Sequence, residues 1–265
     1  MDALLIILFA ILGLVVGSFL NVCIDRLPGH RSIVFPPSHC QACQHKLATR
    51  DLIPVFSYLM LRGRCRTCRA YIPKRIFWVE LSTGVIFALL AWHYGWSVEL
   101  GVMAFYASLF TVIFVIDLEQ GLILNKVVYP AMVVAFLLSL LPHSWLLNQT
   151  TWLTDTILPS IVSSVLGGAI GFLLFLLIAY FSRGGMGWGD VKLAGLIGLA
   201  TGFPMVFVSV IIGAILGGIV AVILLMTRRR TSKGSIPFGP FLAATAMITL
   251  LWGTYILEWY RALWQ

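Results

Sequence analysis

Residues Val191 to Met226 read VKLAGLIGLATGFPMVFVSVIIGAILGGIVAVILLM, 36 residues whose one charge is Lys192. A continuous helix of that length would run ~54 Å, well beyond a hydrocarbon layer of about 30 Å. Gly202-Phe203-Pro204 interrupts the run, and both Gly and Pro disfavour an unbroken helix. Two membrane crossings are therefore expected here. The choice decides the fold, because one crossing would give the chain seven spans and leave Thr227-Arg-Arg-Arg230 outside the cytoplasm, against the positive-inside tendency. Two crossings give eight spans and return that cluster, with Lys233, to the cytoplasmic side.

Immediately upstream stands Gly187-Trp188-Gly189-Asp190, inside the longer stretch from Ser182 to Gly195. A carboxylate between two apolar runs is costly at the edge of the hydrocarbon layer and marks a candidate functional site. Gly184, Gly185, Gly187 and Gly189 let the backbone turn and let a substrate strand come close. The alternative is a flexible loop whose Asp190 caps the next helix.

Further out, composition agrees with a membrane chain. Hydrophobic residues make up 60% of 265 and charged residues 11%, with a mean hydropathy of +0.98, far from the make-up of a water-soluble domain. The net charge of +8 does not point to nucleic acid. Ten of the 18 Lys and Arg lie between Arg26 and Arg75, four more lie between Arg228 and Lys233, and no recognition motif accompanies either group. The distribution fits cytoplasmic loops.

The first span is expected at Ala3 to Val22. A signal peptide is the competing reading, but Asp2 rather than a basic segment precedes the run and the positive charges follow it. The N-terminus is thus expected outside, with residue 26 onward in the cytoplasm. Residues 23 to 75 form the one polar domain. Its Cys40-Gln-Ala-Cys43 and Cys65-Arg-Thr-Cys68 pairs are 21 residues apart, close to the spacing of a four-thiolate zinc site. Paired disulfides would use the same residues, yet such bridges are rare in the reducing cytoplasm. Four Cys ligands would fill the ion's coordination and make the zinc structural. So short a domain would draw much of its folding free energy from that metal. His39 adjoins a ligand and Cys23 ends the first span, so neither is expected to bind.

Further spans are expected at Ile76 to Tyr94, Leu100 to Ile116, Leu122 to Leu141, Ile157 to Phe181 and Ile236 to Leu257, around the two in the opening stretch. The loop from Pro142 to Thr156 holds no Lys or Arg and is expected outside; its Asn148-Gln-Thr150 matches the glycosylation pattern only weakly. Gly167, Gly168 and Gly171 suit close helix contact. No internal repeat is evident. The organisation is an all-α polytopic protein of about eight transmembrane helices: residues 1–22 the first helix, 23–75 a cytoplasmic zinc domain inserted after it, and 76–265 a seven-helix membrane domain. Both chain termini are expected outside the cytoplasm.

This topology puts Asp117, which ends the third span, and Asp190, which begins the sixth, at one depth on the cytoplasmic side. Two facing carboxylates are the minimum equipment for aspartyl-type peptide hydrolysis: one takes a proton from the attacking water while its protonated partner polarises the carbonyl. Asp117 could instead be an interfacial anchor beside Glu119, and Glu80 a buried hydrogen-bond acceptor. A proton-coupled transporter with a zinc regulatory domain would also use acids, although its acids belong near the bilayer midplane.

A set of motifs in a fixed order accompanies these acids: Gly17-Ser-Phe-Leu-Asn-Val22 with Arg26-Leu-Pro28, the two Cys pairs, Leu61-Arg-Gly-Arg-Cys65, Val79-Glu80-Leu81, Ile116-Asp-Leu-Glu119, Gly185-Met-Gly-Trp-Gly-Asp-Val-Lys-Leu193 and Ile236-Pro-Phe-Gly-Pro240. Over nearly its whole length the chain resembles the bacterial type IV prepilin peptidases, aspartyl proteases of the GxGD class that also N-methylate the processed pilin. The resemblance implies that Asp117 and Asp190 are the catalytic pair, with Gly187, Gly189 and Lys192 supporting them in the motif. It implies precursors of type IV pilins or pseudopilins as substrates, S-adenosyl-L-methionine as methyl donor, and a place in the bacterial inner membrane. The family usually has Pro and Asp where Leu124 and Asn125 stand, and often an acid at Gly184. No Gly-rich strand-to-helix motif for the methyl donor occurs in the polar domain, so a leader peptidase without methyl transfer is the nearest alternative.

Overall fold

The computed structural model describes residues 3–141, 157–182, 186–227 and 237–263. Nine α-helices lie among them: α1 Ala3–Arg26, α2 Phe56–Met60, α3 Lys74–Tyr94, α4 Val98–Gln120, α5 Asn125–Ser139, α6 Ile157–Phe181, α7 Trp188–Thr201, α8 Met205–Met226 and α9 Gly239–Ala262. Apart from α2, these eight answer to the eight expected spans. Six of them, α1, α3, α4, α6, α8 and α9, are long and apolar enough to cross a membrane. The other two are shorter: α5 has 15 residues and α7 has 14. The chain is a multi-pass, all-helical membrane protein. Strand structure among the described residues is confined to two isolated bridges, His39 with Lys46 and Arg64 with Tyr71.

The helices overrun or fall short of the hydropathy boundaries in places. α1 continues to Arg26 and α4 to Gln120, so Asp117 stands within the last turns of α4 rather than after it. α5 begins only at Asn125 because Gly121, at φ 65°, ends the preceding helix in the left-handed region that favours glycine. The Pro142–Thr156 loop with Asn148 and Thr150, Arg183 with Gly184 and Gly185, and the Arg228–Ile236 segment fall outside the described residues.

Two compact units divide the chain, Met1–Val112 and Ile113–Gln265. In the first, α1 packs along α3. A Cβ placed on Gly17 would stand 2.8 Å from Glu80 Cα, and one on Gly84 would stand 2.7 Å from Leu14 Cδ2, so the two backbones approach at glycines. The Asn21 amide clamps the pair, its Nδ2 donating to Gly17 O at 3.2 Å and to Ile76 O at 3.1 Å. Arg75 Nη2 closes the same end on Asp25 Oδ1 at 2.6 Å.

In the second unit α7 is central, touching α5, α6, α8 and α9. Val191, Leu193, Ala194, Leu196 and Ile197 are fully buried. The glycines expected to admit a close neighbour do so: a Cβ on Gly167 of α6 would lie 2.5 Å from Gly198 O of α7, and one on Gly171 would lie 2.5 Å from Ala194 O. The expected break in the long apolar run falls between α7 and α8, where Gly202 takes φ 71°. Backbone groups freed by such a break need partners in an apolar setting. Ser163 of α6 supplies them, its Oγ donating to Phe203 O at 2.8 Å and its carbonyl accepting from Phe203 N at 2.9 Å.

Candidate active site

Asp117 and Asp190 both belong to the second unit, 73 residues apart in sequence and close enough to interact electrostatically. α4 delivers the first from its last turns and α7 the second from its first. Asp190 is not the cap of α7. Gly187 holds that position in an extended conformation, and Asp190, three residues on, turns its carboxylate back to the Gly187 backbone N–H. This is one half of a capping box, with the acid anchored by the helix end it begins.

Asp117 is buried. The backbone N–H of Gly239, at the start of α9, is within electrostatic reach of its carboxylate, while Oδ2 has no hydrogen-bond partner among the described residues. A Cβ on Gly239 would stand only 2.5 Å from that Oδ2. Gly239 is therefore glycine because the acid occupies the volume of a side chain. Ile123, in the turn between α4 and α5, fills the remaining space: its Cβ lies 2.8 Å from a Cβ built on Gly189, and its Cδ1 3.0 Å from one built on Gly239. Sequence reading singled out Gly187 and Gly189 but gave Gly239 and Ile123 no role. The signal for Gly239 was its place in the Ile236-Pro-Phe-Gly-Pro240 motif, which did not say that it packs on Asp117.

Lys192 takes another direction. Residues two apart do not share a helix face, and its Nζ donates to Asn125 Oδ1 at 2.9 Å and stands 5.5 Å from the centroid of Tyr129. It ties α7 to α5 rather than facing the acids. Glu80 behaves as the buried acceptor considered for it, taking the Val55 N–H at 2.7 Å on Oε2.

In the first unit Cys40, Cys43, Cys65 and Cys68 converge, all four Sγ atoms within 4.8 Å of one another. Tetrahedral zinc with Zn–S bonds of about 2.3 Å would set its sulfurs about 3.8 Å apart. Cys40 and Cys68 Sγ are 3.8 Å apart, so the cluster has the dimensions of a metal site. Each knuckle is shaped by its backbone: Gln44 N and Arg69 N donate to Cys40 O and Cys65 O, and Gln44 and Arg69 adopt φ 57° and 60°. Backbone N–H groups of Cys68 and Thr67 bring the Cys65 thiol down to about 6, while desolvation and the neighbouring sulfurs push Cys68 up to about 11, so the first thiolate of the cluster forms at Cys65. Cys23 is buried in α1 and His39 Nδ1 meets Pro37 O, so both stand apart from the cluster, as expected.

Known proteins resemble the chain in both parts. A family model described as "Bacterial Peptidase A24 N-terminal domain" matches residues 11–94, and one described as "Type IV leader peptidase family" matches residues 103–222. A protein of Bacillus subtilis named "Prepilin leader peptidase/N-methyltransferase" is 33% identical over 94% of this chain and 95% of its own. Proteins of the same name from Pseudomonas aeruginosa and Stutzerimonas stutzeri are 31% and 29% identical, each over 94% of this chain and 91% of the relative. No solved structure matches. With similarity of this extent, across the Cys knuckles and both acid-bearing helices, the chain belongs to the type IV leader peptidase family.

Proposed function

We propose that Asp117 and Asp190 are the catalytic pair with which this leader peptidase and N-methyltransferase removes the basic leader from pilin-like precursors. The observation that carries the assignment is the meeting of two carboxylates from distant helices against glycine backbone, at helix ends rather than at mid-span. Two carboxylates that share one site hold one proton between them. The ionised member takes a proton from water as that water attacks the scissile carbonyl. The protonated member polarises the carbonyl oxygen and then protonates the departing amine. Gly239 leaves room beside an Asp117 oxygen that has no protein donor among the described residues, and the Gly187 N–H steadies Asp190. The same placement argues against a proton-coupled transporter, whose acids belong at mid-membrane.

Residues 1–22, 23–75 and 76–265 serve as a first helix, a cytoplasmic metal domain and the membrane domain with the acid pair; both termini lie outside, in a bacterial inner membrane. Zinc is the metal that suits four thiolates of this geometry, and it holds the knuckles rather than taking part in hydrolysis. S-adenosyl-L-methionine, bound, supplies the methyl group for the new amino terminus; a glycine-rich strand-to-helix loop, one common cradle for such a donor, does not occur among the described residues. Lipid headgroups hold the basic leader near the cytoplasmic face, and nucleic acid is not a partner.

Incubating a pilin precursor with the purified chain and S-adenosyl-L-methionine, followed by intact-mass spectrometry, tests the whole reading. A product lighter by the leader and heavier by one methyl group is expected. Cleavage without the methyl increment would leave a peptidase alone. An unchanged precursor would remove both activities.

A further inference from the structure

The segment between the two Cys knuckles carries an apolar face that packing leaves outside. Leu52, Ile53, Phe56, Leu59 and Met60 are 42% to 66% exposed; Leu52 closes a short 3₁₀ turn, Ile53 is extended, and Phe56, Leu59 and Met60, three and four residues apart, share one side of α2. Such a patch in a water-facing domain would be an aggregation liability. Where the patch sits removes the difficulty.

Two contacts fix its depth. Val55 N donates to Glu80 Oε2 at 2.7 Å, and the Tyr58 ring lies 5.3 Å from that of Phe77. Both partners belong to α3, an apolar helix long enough to cross the membrane. Lys74 and Arg75 open α3 and mark the headgroup level. Phe77 is three residues and Glu80 six residues further in, about 5 to 9 Å along the axis. An interfacial helix rides about 5–10 Å into the headgroup and acyl boundary. Trp78, 61% exposed at the same level of α3, is the side chain that favours this boundary. Exposed Arg50, Arg62 and Arg64 flank the apolar residues and can reach lipid phosphates.

We propose that residues 52–60 form a membrane-embedded interfacial segment whose exposed apolar side chains, Leu52, Ile53, Phe56, Leu59 and Met60, lie among the acyl chains of the leaflet that α3 enters. The Cys knuckles on either side are thereby seated on the bilayer surface as well as tethered at α1 and α3. Val55, a β-branched residue held at φ 61°, is the point at which Glu80 fastens the segment. The occupant is lipid rather than a protein surface because depth, aromatic neighbour and flanking guanidinium groups all match the interface of a bilayer.

The full-length protein, reconstituted in phospholipid vesicles, carries the test. A photoreactive benzoylphenylalanine replaces Phe56, Leu59 or, as a control, the exposed Gln41, and illuminated products are resolved by mass spectrometry. Lipid adducts at positions 56 and 59, at least about tenfold above position 41, are expected. Capture of another polypeptide in place of lipid, or equal labelling at all three positions, overturns the proposal. The parent chain guards against a misfolded variant. In vesicles bearing a diazirine on the acyl chain, label should enter the peptide spanning residues 52–60, and its absence there, with α3 labelled, is equally decisive against it.

Discussion

As the proposed pair, Asp117 and Asp190 should fail together when either is neutralised. Asp117→Asn and Asp190→Asn each keep side-chain size while removing the exchangeable proton, so either should reduce precursor cleavage by about 10³-fold or more. The double variant should be no worse than the poorer single one, since neither acid has a task without the other. Initial rates on a precursor peptide give the comparison, and a multiplicative loss in the double variant would mean that the acids work separately. Gly239 allows a finer test. A methyl group there falls 2.5 Å from Asp117 Oδ2, and the carboxylate must move. Displacement of about 1 Å can cost about 10²-fold, so Gly239→Ala should lose cleavage on that scale while a fluorescence-monitored thermal transition confirms the fold. The acids could be picked out from sequence because a charge beside an apolar run stands out. Gly239 and Ile123 could not, since their meaning lies in a contact with residues far along the chain.

Helices in this molecule are joined as much by small residues and hydroxyls as by apolar bulk. In lipid the hydrophobic effect does little to hold one helix on another, and packing and hydrogen bonds carry the association. Ser163→Ala would strip Phe203 O of its partner at the break between α7 and α8, a loss of about 0.5–1.5 kcal/mol by the measure of hydrogen bonds within membranes. Gly167→Ala should cost more, about 1–3 kcal/mol, because the added Cβ meets backbone that cannot rotate aside. Thermal unfolding in detergent should rank the two in that order. The break itself was legible, since Gly202 and Pro204 interrupt an apolar run too long for one crossing. Helix ends were less so. Hydropathy reports where lipid begins, whereas α1 and α4 stop where their backbone hydrogen bonds stop, at Arg26 and Gln120.

At the scale of the molecule, the Cys cluster and the acid pair fall in separate compact units, which bears on what metal removal does. Elemental analysis should find about one zinc per chain, falling below about a tenth in Cys65→Ser, and limited proteolysis should then cut within residues 40–70. Leader cleavage by the same variant should suffer far less than in Asp117→Asn, since the four cysteines belong to one compact unit and both acids to the other. The Cys pairs gave this part of the architecture away by spacing alone. The break at Gly202-Phe203-Pro204 already made the sixth span short, whereas the length of α5 had no such herald, and both have a consequence for the surrounding bilayer. At 15 and 14 residues these helices reach only about 22 and 21 Å, short of a hydrocarbon layer of about 30 Å. Buried α7 escapes the discrepancy, but α5 turns Tyr129, Val133, Phe136 and Leu137 outward. Lipid beside α5 is therefore expected to thin toward it, a hydrophobic mismatch at the flank of the unit that holds both acids. Cleavage in vesicles of graded acyl length should be fastest in the thinner bilayers and fall as the chains lengthen, so that the membrane's own thickness tunes the enzyme.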